Sequence, residues 1–310
     1  MDLIAPVGAR THWEVGGPPP EGAREVRAPD GVISHEPADM TVTVGAGTSC
    51  AALDAALAEH GQEVPLDPRS EAATVGGVLA CGLSGVRRLR CGPLRDQVLE
   101  VRFTTGDGRA VKGGGPTVKN VTGYDLPRLL VGSLGTLGVI TQVTLRCRPR
   151  AAVSRWYVGH GGPCYRPAAR LWDGSTEHVL LEGVAADVDS QGRALQIADD
   201  APTLPNGPHR GRVSVAPARV QSVGAALDGR VRWCAELGVG TVHVAADEPD
   251  GLVHARTVAT AHGGWLLREA GGAPNDDGFG SRLPNIELMR RIKAAFDPQG
   301  RMNPGRLPLA

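Results

Sequence analysis

Between Thr74 and Gly138 the chain returns repeatedly to glycine flanked by small and polar residues. Thr74-Val75-Gly76-Gly77, Ala80-Cys81-Gly82-Leu83-Ser84-Gly85 and Gly92-Pro93-Leu94-Arg95-Asp96 come first. Lys119-Asn120-Val121-Thr122-Gly123-Tyr124-Asp125 and Leu134-Gly135-Thr136-Leu137-Gly138 follow. A residue without Cβ lets backbone lie flat against a ligand and present its N–H groups. One such turn constrains little. A series of them predicts a wall that holds a large flat ligand carrying phosphates.

The chain has 310 residues, enough for about two domains. Hydrophobic residues make up 41% and aromatic ones 4%, so the cores must be built mainly from Ala, Val and Leu. Gly 43 and Pro 24 imply many turns, short of the bias that signals disorder. Lys+Arg and Asp+Glu are both 33, a balance that argues against a dedicated nucleic-acid binder. The local cluster Arg87-Arg88 with Arg90 reads as a solvated loop. No apolar run is long enough for a transmembrane helix. Met1-Asp2-Leu3-Ile4-Ala5-Pro6 lacks the basic start and long apolar stretch of a signal peptide. The six cysteines contain no Cys-x-x-Cys pair, which predicts free thiols in a cytoplasmic protein and no iron–sulfur cluster held by this chain alone.

Leu3 to Pro6 and Met40 to Val44 read as strands. Ser49 to His60 reads as a helix, with Leu53 and Leu57 one turn apart and Gly61 placed to end it. Val98 to Thr104 and Arg109 to Lys112 flank Asp107-Gly108, a hairpin signal, and Val139 to Leu145 alternates as a further strand. Residues 151–210 read as rich in loops, with His178 to Gly183 their best strand. Gly211 to Ala216 and Thr241 to Ala245 predict strands; Val220 to Leu237, Val253 to His262 and Pro284 to Phe296 predict helices. That mixture predicts an α+β layer with an antiparallel sheet.

Val42-Thr43-Val44-Gly45-Ala46-Gly47 imitates the opening of a dinucleotide fingerprint. Cys50 occupies the place of the third glycine and no acidic strand end follows, so a turn packing a helix onto a sheet is the better reading. Pro6-Val7-Gly8-Ala9-Arg10-Thr11-His12 fits an anion-binding nest or a plain turn equally well. His12 raises the question of covalent flavin attachment, against the commoner role of a packing or surface histidine. The other histidines form no metal-binding spacing, and neither a Gly-x-Ser-x-Gly elbow nor a Walker sequence is present.

In order and together, these elements resemble the flavoproteins with a p-cresol methylhydroxylase-type FAD-binding domain, in particular the FAD-binding subunits of glycolate oxidases. The residues that carry the likeness are Gly8 to Gly16, Glu71 to Gly77, Ala80 to Gly85, Gly92 to Asp96, Lys119 to Asp125 and Leu137 to Thr141. Phe296-Asp297-Pro298 and Asn303-Pro304-Gly305-Arg306 complete it at the C-terminal end. The resemblance implies an α+β fold: a two-subdomain FAD-binding domain over 1–149, a smaller ferredoxin-like α+β cap over 150–275, and a segment over 276–310 returning to the FAD domain. It implies FAD as cofactor, with the pyrophosphate on Gly8, Ala9, Arg10, Thr11 and His12. Thr74, Gly76, Gly77, Gly82, Ser84 and Gly85 would line the diphosphate, ribityl chain and flavin, and Gly92, Arg95 and Asp96 extend that set. Gly138, Val139 and Ile140 would grip the adenine half, and Asn303 would come near the flavin. Members of the family carry a helix ahead of the first glycine turn, where this chain has only a few residues.

For function, the resemblance implies a cytoplasmic FAD-binding subunit of a glycolate-type 2-hydroxy-acid dehydrogenase, possessing no transmembrane segment of its own. It would work beside a homologous catalytic flavoprotein and an iron–sulfur subunit. The histidine-rich metal and substrate cluster of the catalytic partner has no counterpart here, so no residue is assigned a catalytic or metal-binding role. Two alternatives remain open: a self-sufficient FAD-dependent oxidase or dehydrogenase, in which Arg155, Arg166, Arg212 or Arg268 would clamp a carboxylate, and a scaffold that has lost FAD.

Overall fold

A computed structural model describes residues 2–17, 21–116, 124–159, 164–273, 278–279 and 285–308. Most of the Lys119–Asp125 motif lies outside the described residues, as does Pro284. The chain divides into two compact units, one made of residues 1–85, 93–150 and 282–310, the other of 86–92 and 151–281.

The first unit is built on a five-stranded antiparallel sheet. Its strands run in the order Val32–Glu36, Thr41–Gly45, Val139–Arg146, Val98–Thr104 and Ala110–Gly114. Asp107-Gly108 joins the last two as the dipeptide predicts, Gly108 taking φ +88°. The helix Cys50–Ala58 starts where the Ser49 side chain accepts a hydrogen bond from the Ala52 amide. It buries Leu53 and Leu57 against Val42, Val44, Val143 and Leu145. A second helix, Val75–Cys81, is capped by Thr74 and puts Val75, Val78 and Leu79 into the same core.

The ends of the chain meet in this unit. Ile4–Pro6 pairs in parallel with Arg24–Val26, and Ile4 also forms a bridge with Met302. The helix Ile286–Phe296 sets Phe296 against Phe103, ring centroids 5.7 Å apart. Lys293 Nζ then donates to the Thr136 carbonyl at 2.7 Å, the Met302 carbonyl at 2.8 Å and the Asp297 carboxylate. Asp297 in turn accepts from the Arg301 and Met302 amides. This knot of buried charge fixes where residues 302–306 lie.

The second unit holds an eight-stranded antiparallel sheet. Its sequence His209–Ser214, Val220–Ala226, Arg232–Glu236, Thr241–Ala246, Pro249–Ala261, Trp265–Ala270 is a βαββαβ unit of the ferredoxin-like kind. The expected loop-rich texture of 151–210 is corrected: strands Val153–Val158, Ala169–Trp172 and Glu177–Gly183 and the helix Ala185–Gly192 occupy it. The expected helix Val220 to Leu237 is also corrected, since it stops at Ala226 and Arg232–Glu236 is a strand. Asp228 folds a turn there by accepting from the Arg230 backbone and side chain, and the strand pairs on one side with the next strand, Thr241–Ala246, and on the other with the remote strand Ala169–Trp172. Ladder bonds on both edges of this strand thus override the local helix propensity of an alanine-containing stretch.

Candidate functional site

The first unit holds an open cleft with a cavity volume of about 90 Å³. One lip is the turn Gly8-Ala9-Arg10-Thr11-His12, which leaves the strand Ile4–Pro6. Arg10 sits at φ +60°, and no backbone partner exists among the described residues for the amides of residues 8–11. Consecutive amides bent through such a residue form a nest that attracts an anion. Arg27 holds the turn from behind by donating to the Gly8 carbonyl at 2.7 Å, and Arg10 pairs with Glu25.

The floor is the start of the Val75–Cys81 helix, where Thr74, Gly76, Gly77, Ala80 and Cys81 line the cleft. Its amides are already engaged: Gly76 donates to the Ala46 carbonyl at 2.8 Å and Gly77 to Thr74 Oγ1 at 3.2 Å. The glycines serve here by what they lack. A Cβ on Gly76 would stand 2.8 Å from Ala46 Cβ, and one on Gly8 would fall inside the Thr74 hydroxyl. Two peptide segments can therefore approach only because both positions are bare.

Gly138, Val139 and Ile140 supply an apolar wall at the start of the Val139–Arg146 strand, joined by Leu134 and Gly135. Asn303 closes the cleft from the C-terminal segment; its amide donates to the Ile4 carbonyl at 2.9 Å and its Nδ2 to the Leu134 carbonyl at 2.8 Å.

The other expected residues do not line this cleft. Gly82 ends the helix in the left-handed conformation, φ +68°, with its Cα against Gly132. Ser84 accepts from the Leu94 amide at 3.2 Å, and Gly85 packs on Asp67. Gly92 belongs to the second unit. Arg95 and Asp96 lie in the short 3-10 turn Leu94–Asp96, where Asp96 pairs with Arg128 at 2.9 Å. Of the arginines considered as carboxylate clamps, Arg155 pairs with Asp189 at 2.9 Å and Arg212 with Glu269 at 3.2 Å, both within the second unit.

Several lining residues carry no expectation from the sequence reading. Two guanidinium groups lie over the Trp13 ring, Arg10 at 4.9 Å and Arg306 at 5.4 Å from its centroid. Ala46 and Gly47 enter from the turn that imitates a dinucleotide fingerprint. Cys81 could have been found one helical turn beyond Gly77, and Arg306 directly after Asn303-Pro304-Gly305.

The electrostatics favour an anion. Arg10 and Arg306 line the cleft and no carboxylate does, among the described residues. Burial pushes the Arg306 guanidinium below its usual pKa, with Cys81 the neighbour that opposes the shift. Elsewhere in the unit burial raises the core thiols, Cys50 to about 12 and Cys147 to about 11, so both are inert packing groups. Among the described residues no cluster of three or more His, Cys, Asp or Glu is placed to hold a metal, and no helix is long and apolar enough to cross a membrane. An extended ligand with apolar rings and a phosphate bridge fits this combination: an open mouth, a bare floor, open amides at one lip and a buried arginine, Arg306, with no carboxylate partner among the described residues.

The fold is shared with two solved structures of alkyldihydroxyacetonephosphate synthase, each 16% identical with a TM-score of 0.67. They cover 97% of this chain, which spans 71% and 72% of theirs. It is an α+β architecture with an antiparallel sheet in each unit. A family model described as an FAD binding domain matches residues 3–114, and one described as the C-terminal domain of FAD linked oxidases matches residues 282–307. Glycolate oxidase subunit GlcE of Escherichia coli (strain K12) is 32% identical over 336 residues, covering 97% of this chain and 91% of that protein. The chain belongs to the FAD-linked oxidoreductases with a p-cresol methylhydroxylase-type domain, and FAD is the cofactor of that family. D-lactate dehydrogenase of Archaeoglobus fulgidus is 46% identical over 114 residues, 36% of this chain and 26% of that one. Glycolate oxidase subunit GlcD of Bacillus subtilis (strain 168) is 32% identical over 150 residues, 47% of this chain and 32% of that one.

Proposed function

We propose that this chain is the FAD-binding subunit of a glycolate-type 2-hydroxy-acid dehydrogenase, working in the cytoplasm beside a homologous flavoprotein subunit and an iron–sulfur subunit. The observation that carries the reading is the cleft, lined by Arg10 and Arg306 and by no carboxylate among the described residues, with open amides on one lip. Similarity to subunit GlcE along nearly the whole of both chains supports the choice of partner class and substrate class. FAD bound there would supply a two-electron acceptor that can pass electrons on singly. The residues of the chain orient it: Gly8 to His12 hold the pyrophosphate, Thr74, Gly76 and Gly77 bring the floor close, and Val139 and Ile140 cover an apolar ring. Asn303 contributes polar contacts at the closed side.

The test is purification of the chain alone and with the two partners. Flavin absorbance in the isolated chain, or its recovery on adding FAD, is expected, together with glycolate-dependent dye reduction by the assembled complex. A colourless chain that takes up no FAD in either form overturns the reading.

A further inference from the structure

Two histidines remote in sequence, neither of them lining the cleft, meet edge to face in the first unit. The His35 and His60 rings have centroids 4.9 Å apart and an interplanar angle of 81°. His35 stands half-buried on the edge strand Val32–Glu36. His60 is exposed just beyond the helix Cys50–Ala58, where its amide donates to the Leu57 carbonyl at 3.1 Å. Gln62, buried on the short strand Gln62–Glu63, fixes the chemistry of the pair. Its Nε2 donates to the Pro37 carbonyl at 2.8 Å, so the end that meets His35 Nε2 at 3.0 Å is the amide oxygen. That oxygen only accepts, so His35 Nε2 carries the proton and Nδ1 of the neutral ring keeps its lone pair. An imidazole held in one tautomer through one nitrogen, with the other open, is prepared to ligate a metal.

The spacing of the rings fits a single ion. With metal–nitrogen bonds of about 2.0–2.1 Å and near-tetrahedral angles, two imidazoles on one ion set their centroids about 5 Å apart. We propose that His35 and His60 form a two-imidazole site for a late first-row divalent ion such as zinc, tying the edge of the five-stranded sheet to the end of the helix. His35 Nδ1 and one ring nitrogen of His60 are the ligands. Gln62 is the positioning residue, because it holds the His35 tautomer without touching the ion. Among the described residues no third histidine, carboxylate or thiol joins the pair, so water fills the remaining positions. Imidazole ligands suit zinc, copper and nickel, whereas magnesium and calcium take oxygen ligands. The site stands apart from the reading of the cleft, since neither histidine lines it.

The experiment titrates Zn²⁺ calorimetrically into the full chain and repeats the titration with H35A, H60A and Q62M. Co²⁺ difference spectra of the wild type report which kind of ligand holds the ion. One-to-one binding is expected in the wild type, and its loss in H35A and in H60A. Both histidine variants should keep the far-ultraviolet circular dichroism of the wild type, so that the loss is read on folded protein. Q62M removes the acceptor that fixes the tautomer and should bind Zn²⁺ roughly ten- to a hundredfold more weakly. Saturating Zn²⁺ should raise the thermal midpoint of the wild type and leave that of H35A and H60A in place. A wild-type chain that takes up no Zn²⁺, or binding that survives unchanged in either histidine variant, overturns the proposal. A cobalt spectrum with the intense near-ultraviolet band of a thiolate ligand also overturns it, by assigning the ion to a cysteine. Unchanged affinity in Q62M overturns the orienting role given to Gln62.

Discussion

Thr74 shows how one side chain serves both the fold and the cleft. Its hydroxyl caps the Val75–Cys81 helix through the Gly77 amide, and the bare Gly8 rests against it. Thr74→Ala removes the cap and is expected to cost about 1 kcal/mol in denaturant unfolding, without abolishing the fold. Gly8→Val makes the opposite change: a side chain must displace Thr74 and reshape the lip. It should weaken FAD binding at least tenfold, roughly 1.4 kcal/mol, in a fluorescence titration, while far-ultraviolet circular dichroism stays unaltered. The glycines of both positions are plain in the sequence. What they do was not, because nothing local says that the amides of Gly76 and Gly77 bond inside the protein while those of residues 8–11 stay open.

Single elements carry the next level. The helix Ile286–Phe296 positions the C-terminal segment through Lys293, whose charge sits between the fully buried Asp297 and two carbonyls. Lys293→Met leaves the Asp297 carboxylate without its cation, at a cost of about 3–5 kcal/mol for breaking a buried pair. Loss of FAD affinity should accompany the lower unfolding midpoint, since residues 302–306 lose their anchor. In the second unit, the turn at Asp228 separates the helix Val220–Ala226 from the strand Arg232–Glu236. Hydrogen bonds from Arg230 lower the Asp228 pKa from 3.8 to about 2. A carboxylate depressed in the folded state stabilises above its unfolded value and loses that effect as pH falls through its folded value. The advantage of wild type over Asp228→Asn in thermal midpoint should therefore be full above pH 3.8 and fade towards pH 2. An advantage that does not change with pH would show that the turn is held by something else. The amphipathic C-terminal helix, the Ser49 helix and the Asp107-Gly108 hairpin were legible because their signals are local. The strand Arg232–Glu236 was not, because its buried Glu236 bonds His243 and so breaks the apolar alternation that marks a strand.

For the whole molecule, the cleft belongs to one of the two compact units, the one that gathers three separate stretches of chain. Ligand that binds only the folded state stabilises it by mass action, about 2.7 kcal/mol at a hundredfold excess over the dissociation constant. Hydrogen exchange should accordingly slow at residues 8–13 and 302–306 when FAD is added, with the strands of the second unit unaffected. Uniform slowing throughout, or none, would contradict a cleft confined to the first unit. The sequence alone determined the kind of ligand, since bare glycine turns and the closing Asn-Pro-Gly-Arg segment are contiguous patterns that each record a close approach of backbone. The tertiary structure alone decided which turns meet. Gly82, Ser84, Gly85, Gly92, Arg95 and Asp96 share the texture of the cleft residues but do not line it, while Trp13, Cys81 and Arg306 do. Spacing along a chain specifies local backbone shape; which of those shapes face one cavity depends on sheet pairing and on a buried Lys–Asp knot between remote segments.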